Sequence, residues 1–162
     1  MQTRVVVPAL LTLLTLLILG GIGLLPRAAE AGACHVTATQ IDFGQFDPFH
    51  GAKPQAVGSI TYRCSNNVTN VRITLSPGQS KNSSQRLLYR GGGGTPIPYI
   101  LALDASQTQI WGDGFGATSL YMVGAAPAQT DIRVPVYAYL ASTTLPAVGL
   151  YSDTISVQLT WE

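Results

Sequence analysis

Charge is scarce in this chain. Asp, Glu, Lys and Arg make up only 10% of its 162 residues, against roughly 25% in an average soluble domain. Nine Lys and Arg stand against eight Asp and Glu, so there is no basic face or long-range field to draw in a nucleic acid. The same scarcity excludes a highly charged disordered tail. Cys and His occur twice each, with no CxxC, which leaves too few ligands for a structural zinc site. No GxSxG elbow marks a nucleophile. The run Gly91–Gly94 lacks the spacing and the following Lys-Ser/Thr of a phosphate loop. What is plentiful is apolar residues (46%), with 17 Gly and 10 Pro. That is the turn-rich habit of all-β proteins. The length suits one domain and is too short for two ordinary ones.

The N-terminus reads as an address. Arg4 precedes an apolar run from Val5 to Leu25, Pro26 ends it, and Ala29-Glu30-Ala31 supplies a small-x-small cleavage pattern. We expect a secretory signal over 1–31 and a mature domain over 32–162. The run, about 21 residues, is also long enough for an uncleaved anchor. Acylation of Cys34 is disfavoured, because Arg27 and Glu30 intervene and Ala31-Gly32-Ala33 lacks the usual Leu. Without Arg4, Arg27 and Glu30, seven charges of each sign remain. A surface of zero net charge has little self-repulsion, which suits assembly. Export also places Cys34 and Cys64 in an oxidising compartment, where a disulfide is the default. Closing the loop between them is worth roughly 3.7 kcal/mol in the chain-entropy account. A reactive thiol pair would need an activating base or a CxxC spacing.

Alternation of period two recurs along the mature chain. Ile60, Tyr62 and Cys64 alternate with polar neighbours, as do Val71, Ile73 and Leu75. Tyr99–Leu103 is a short apolar run like a strand buried on both faces. Ile132, Val134, Val136, Ala138 and Leu140 share one face of another strand, in which Pro135 predicts an edge position or a bulge. Cys34, Val36 and Ala38 share one face of the first strand and Ile41 and Phe43 the other, so a bulge or sheet switch is expected near Thr39-Gln40. Turn signals separate these runs, among them Ser65-Asn66-Asn67, Ser76-Pro77-Gly78 and Gly112-Asp113-Gly114. The pattern predicts an all-β fold, an Ig-like antiparallel β-sandwich.

A last strand, about Leu150 to Glu162, keeps its alternation to the end of the sequence. An immunoglobulin-like sandwich has a further strand beside this one. Without it, four or five apolar side chains would stay wet, at about 1.5–3 kcal/mol each. Such a domain would accept a strand from elsewhere by β-augmentation. Alternatively, the first strand or the 115–124 segment fills the slot from within.

The mature chain resembles the spore coat protein U family, which also holds the subunits of archaic chaperone–usher pili of the Csu type. The matching features are Ala33-Cys34-x-Val36, Phe43-Gly44-x-Phe46-Asp47-Pro48, Gly58-Ser59-Ile60-x-Tyr62-x-Cys64, Arg86-x-Leu88, Tyr99-x-Leu101 and Trp111-Gly112-Asp113-Gly114. The C-terminal Gly149-x-Tyr151-x-Asp153-x-Ile155-x-Val157-x-Leu159-x-Trp161 completes them. The resemblance implies an incomplete sandwich, missing its last strand. It implies export to the periplasm and then the cell surface, a pilus or a spore coat. The expected partners are a periplasmic chaperone, an outer-membrane usher and neighbouring subunits. Members serve adhesion, biofilm formation or the spore coat, without catalysis or cofactor. The paired Cys would join the first strand to the next. Shaft subunits of such pili carry a donor extension before the first Cys. Here Gly32-Ala33, about 7 Å of chain, would precede Cys34. That fits a tip subunit, a terminator or a stand-alone coat protein, although tip adhesins have two domains.

The expected strand-accepting groove is lined by Val36, Ala38, Ile155, Val157, Leu159 and Trp161, and braced by Cys34 and Cys64. No catalytic residue and no metal site is assigned. His35 and His50 flank Asp42 and Asp47, but His35 should point away from the Cys34 face and His50 lies in a Pro/Gly loop. Membrane contact is expected only through the signal sequence. Trp111 and Asp113 could form a sugar-binding loop, although a tight turn fits Gly112 and Gly114 better. Tyr137, Tyr139 and Tyr151 could form an outward aromatic patch or cross-strand packing. Two other readings compete. One is a self-sufficient monomeric sandwich that binds carbohydrate through Trp111; the other is a secreted hydrolase.

Overall fold

Where β-branched and aromatic residues alternate with polar ones, the chain forms strands. The computed structural model describes residues 33–45, 47, 54–141 and 146–162. The expected signal sequence and His50 lie outside the described residues. In chain order the strands are β1 (Cys34–Ala38), β2 (Gln55–Cys64), β3 (Val68–Leu75), β4 (Arg86–Arg90), β5 (Ile97–Ala102), β6 (Tyr121–Ala126), β7 (Ile132–Leu140), β8 (Tyr151–Ser152) and β9 (Val157–Thr160). One sheet runs β1-β2-β7-β5-β4-β8 and the other β6-β3-β9. Every strand pairing is antiparallel. The architecture is the all-β sandwich that the alternation predicts.

The inward sets meet between the sheets. Ile60, Tyr62 and Cys64 of β2 join Val134, Val136, Ala138 and Leu140 of β7 and Tyr99 and Leu101 of β5, all buried. Val71, Ile73 and Leu75 of β3 face them and are buried as well. Each such side chain contributes about 1.5–3 kcal/mol by leaving water. The outward set stays wet: Arg63 pairs with Asp131 at 3.3 Å on the surface. The disulfide expected between Cys34 and Cys64 is formed. It joins directly opposed residues of β1 and β2.

Two strand readings are corrected. Pro135 lies in neither an edge strand nor a bulge; β7 runs between β2 and β5 in unbroken register. The backbone of Ser59, opposite Pro135, faces Thr39 of the first-strand side: Thr39 N–H donates to Ser59 O, and Ser59 N–H donates to Thr39 Oγ1. At this pair the backbones of β2 and β7 therefore turn away from each other. The nitrogen of Pro135 points to the side where β5 ends its ladder at Tyr137. No bond is lost because none is offered there. The last strand is also not continuous. Tyr151–Ser152 pairs with β4, whereas Val157–Thr160 pairs with β3, so the chain changes sheets between them.

Tyr137 is half-buried, and Tyr139 and Tyr151 do not join it in an outward patch. Tyr139 is buried and its hydroxyl donates to Ala105 O at 2.7 Å. Tyr151 is half-buried against the core, its hydroxyl on Ala147 O.

Candidate functional site

A long groove opens along one side of the sandwich, and it is built from a break in each of its walls. In the first wall, β1 follows β2 as far as Ala38. At the next residue the hydroxyl of Thr39, not its carbonyl, takes the N–H of Ser59. The side chain stands in for the backbone, and the chain is released from the ladder. This is the expected change of phase near Thr39-Gln40. Past it, Ile41 and Phe43 also turn onto the core. Ile41 packs over Gly58, where an added Cβ would lie 2.6 Å from Ile41 Cγ1. Phe43 meets the edge of the Tyr99 ring, with centroids 6.2 Å apart.

The second wall is the switch between β8 and β9. Asp153 holds it. Its Oδ2 accepts the Tyr99 hydroxyl at 2.8 Å, and its Oδ1 accepts the backbone N–H of Gln79 at 3.1 Å and of Thr154 at 2.8 Å. Burial, and then the neighbouring Asp153, push the Tyr99 hydroxyl well above the usual phenol range. Beneath the switch sits Arg86, fully buried. Its guanidinium donates to the carbonyls of Ser76, Ser83 and Leu75. Burial lowers its pKa, opposed by Tyr99, Asp153 and Asp113.

Between these walls the groove encloses about 1290 Å³. Small-molecule pockets are usually about 300–1,000 Å³. Leu75, Leu88, Ile97, Leu101, Val136 and Leu140 contribute its apolar floor. Among the described residues no strand pairs with the outer edge of β9, the last strand of its sheet. Ser76 N–H donates to Ser156 O at 3.0 Å. Residues 156, 158 and 160 therefore turn their backbones to β3, and Ile155, Val157 and Leu159 turn theirs to the outer edge. The side chains of the last strand alternate between half-buried and exposed, and none from Tyr151 to Trp161 is fully buried.

Of the residues expected in the groove, Ala38, Ile155 and Val157 line it. Val36, Leu159 and Trp161 pack half-buried on the margin of the same core and are not among its lining residues. The 115–124 segment does not occupy the slot, because β6 pairs on the opposite side of β3 from β9. Nor does β1 pair with β9; its ladder is with β2.

The sugar-loop reading of Trp111 is overturned. Trp111 is 0% exposed, and its indole N–H donates to Ile73 O at 3.0 Å. Its backbone N–H donates to Leu101 O in the other sheet, and Gly112 O accepts Leu75 N–H. The Trp-Gly-Asp-Gly turn is a clasp between the sheets. Gly112 is required there, since a Cβ would lie 2.7 Å from Thr118. Asp113 caps the turn by accepting Phe115 N–H and the Thr118 hydroxyl, and the Phe115 bond leads in holding its carboxyl below the usual range. His35 is exposed on β1, beside a shallow hollow of about 240 Å³ with Arg63, Gln129 and Asp131. Among the described residues no cluster of His, Cys, Asp or Glu could hold a metal.

Sequence reasoning named Arg86, Tyr99 and Asp153 among the features of the resemblance but gave none of them a place in the groove. The signal for Asp153 was its phase: it falls on the inward side of Tyr151, Ile155 and Val157, where a carboxylate needs a partner.

The family model for the Spore Coat Protein U domain matches residues 24–158. The chain belongs to the Spore Coat Protein U domain family. A solved neighbour of this family member is the CsuC–CsuE chaperone–tip adhesion subunit pre-assembly complex, from archaic chaperone–usher Csu pili of Acinetobacter baumannii. The TM-score is 0.57 at 25% identity. The match covers 79% of this chain and 39% of the other, so the chain spans well under half of that structure's length. Comparison with curated proteins finds no match.

Proposed function

We propose that this protein is an exported, non-enzymatic subunit of a chaperone–usher pilus or a related surface coat. Its working element is the groove, which accepts a β-strand first from a periplasmic chaperone and then from a neighbouring subunit. An outer-membrane usher would pass it between the two, and adhesion and biofilm formation follow from assembly.

One observation carries the reading: an edge of β9 that no strand pairs with among the described residues borders an apolar groove. An inserted strand would bond the outward backbone groups of Ile155, Val157 and Leu159 and cover Ile41, Phe43, Ile155 and Val157, which are half-buried. Finishing the burial of four such side chains is worth about 3–6 kcal/mol, half of a full burial for each. That is a large part of a domain's net stability, about 5–15 kcal/mol. Membership of the Spore Coat Protein U family and the likeness to a chaperone-bound pilus subunit support the reading.

The test is expression of the full chain in a periplasm, alone and with a chaperone encoded beside it. Poor yield alone, rescued by the chaperone or by a donor strand fused after Glu162, is expected. A soluble monomer with one sharp melt, indifferent to both, would overturn the proposal.

A further inference from the structure

We propose that Arg86 is a positioning residue for strand acceptance: by taking the Ser76 carbonyl out of the β3–β9 ladder, it fixes where β9 begins and so which backbone groups the groove offers an inserted strand. This rests on the strand-accepting reading above.

The β3–β9 register pairs Arg72 with Thr160, Ile73 with Leu159, Thr74 with Gln158 and Leu75 with Val157. The next pair in that register is Ser76 with Ser156. Ser76 N–H donates to Ser156 O at 3.0 Å, so this is a pair that should exchange both backbone bonds. The return bond is diverted. Ser156 N–H donates to the Ser76 hydroxyl at 2.9 Å, and Ser76 O accepts the Arg86 Nε–H at 3.0 Å instead. Both strands stop at this pair, β3 at Leu75 and β9 at Val157.

The diversion continues one step further. Gly78 and Thr154 would oppose each other next, but Thr154 N–H and Gln79 N–H both go to Asp153 Oδ1. With its ladder closed off, the chain carries Tyr151 and Ser152 across to β4. Ile155, the first residue that turns its backbone to the outer edge of β9, directly precedes Ser156. The bond at Ser156 therefore sets its direction.

Arg86 is the first residue of β4, so a side chain of one sheet ends a ladder of the other. Its guanidinium is fully buried and donates to the carbonyls of Ser76, Ser83 and Leu75. Bulk alone does not call for it, because an apolar side chain fills such a place without burying a charge. A planar fork of donors, by contrast, holds several carbonyls at set angles. The first wall uses a matching device, the Thr39 hydroxyl that takes the N–H of Ser59. In each wall a hydroxyl stands where a continuing ladder would have a carbonyl.

Arg86→Met keeps the bulk and releases Ser76 O. The expected result runs against general loosening. In the full chain the Ser156 amide should exchange its hydrogen about fivefold more slowly relative to that of Gln158, as it moves from a hydroxyl to a ladder carbonyl. A synthetic peptide that alternates Val and Thr should bind the folded variant roughly tenfold more weakly, because a continuing ladder redirects the chain at Ile155. Ser76→Ala should also weaken that peptide, and Ser76→Thr, which keeps the hydroxyl, should not. Faster exchange at Ser156 in step with Gln158, or undiminished peptide binding, would overturn the inference. Arg86 would then brace the core and nothing more, and the strand-accepting reading would stand. No binding of the peptide by the native chain would overturn that reading, and the inference with it. If Arg86→Met fails to fold, the two Ser76 variants decide, and equal binding by both overturns the inference.

Discussion

Asp153 accepts a 2.8 Å hydrogen bond from the hydroxyl of Tyr99, 54 positions earlier in the chain. One partner lies at the sheet switch and the other in β5, so the bond ties one wall of the groove to its floor. Asp153→Ala removes the partner of a buried phenol and breaks the bonds from two solvent-accessible backbone N–H groups. It should cost about 3 kcal/mol, against about 1 kcal/mol for Tyr99→Phe, which leaves the other two bonds intact. Urea unfolding of both variants, compared at equal slope, checks the order. A milder effect of Asp153→Ala than of Tyr99→Phe would contradict it.

Arg86 should resist replacement even by Lys. Its three carbonyl acceptors are fixed by a planar fork that an ammonium cannot reproduce. Arg86→Lys is expected to cost about 2 kcal/mol or more, read as a lower melting temperature. An unchanged melt would mean that water satisfies those carbonyls equally well.

Trp111→Ala should cost about 3–5 kcal/mol by opening a cavity between the sheets. Trp111→Phe, which keeps most of the volume and loses the indole bond to Ile73, should cost less. Stability measurements distinguish this from a ligand-binding role, which would spare folding.

Removing the disulfide with Cys34→Ser and Cys64→Ser together should lower stability by roughly 3.7 kcal/mol. Melting of the native chain with and without reductant gives an independent value. Agreement between the two routes is expected; no shift in either would show that β1 holds its place without the bond.

High pH gives a signed expectation. Burial leads in raising the Tyr62 and Tyr99 hydroxyls above the usual phenol range. Their contribution is fully present below the unfolded pKa, about 10, and is lost as pH rises beyond it. Tyrosinate absorbance for these two should therefore appear together with unfolding, later than for exposed tyrosines. At the acid end, hydrogen bonds from Ser106 and Thr108 lead in holding the Asp104 carboxyl below its usual range. Its contribution is present above that range and falls away as pH drops through it. Asp104→Asn should flatten the acid limb of a melting-temperature profile.

The strands were legible because their alternation is a local signal. Ile60, Tyr62 and Cys64 are buried where period two puts them. Pro135 misled because a proline reports only that one N–H is missing. It does not report which side of the strand that N–H would have faced, and this depends on the distant end of β5. The switch between β8 and β9 was hidden for a related reason. Inward phase persists from Tyr151 to Trp161 while the pairing partner changes, and pairing is not written in phase. Half of the expected groove residues line it; Val36 does not, because the first wall begins where Thr39 leaves β2. The Gly-rich turn around Trp111 was legible as a turn, but the burial of the indole was not: it packs in the core and bonds Ile73, 38 residues away.

The bond between Cys34 and Cys64 sits at the first rung of the β1–β2 ladder. A pull applied to the chain ahead of Cys34 is therefore handed through sulfur to β2, bypassing the hydrogen bonds of β1. Peeling of that strand rung by rung has no starting point from this end. The adjoining wall of the groove then keeps its shape when the chain ahead of it is pulled.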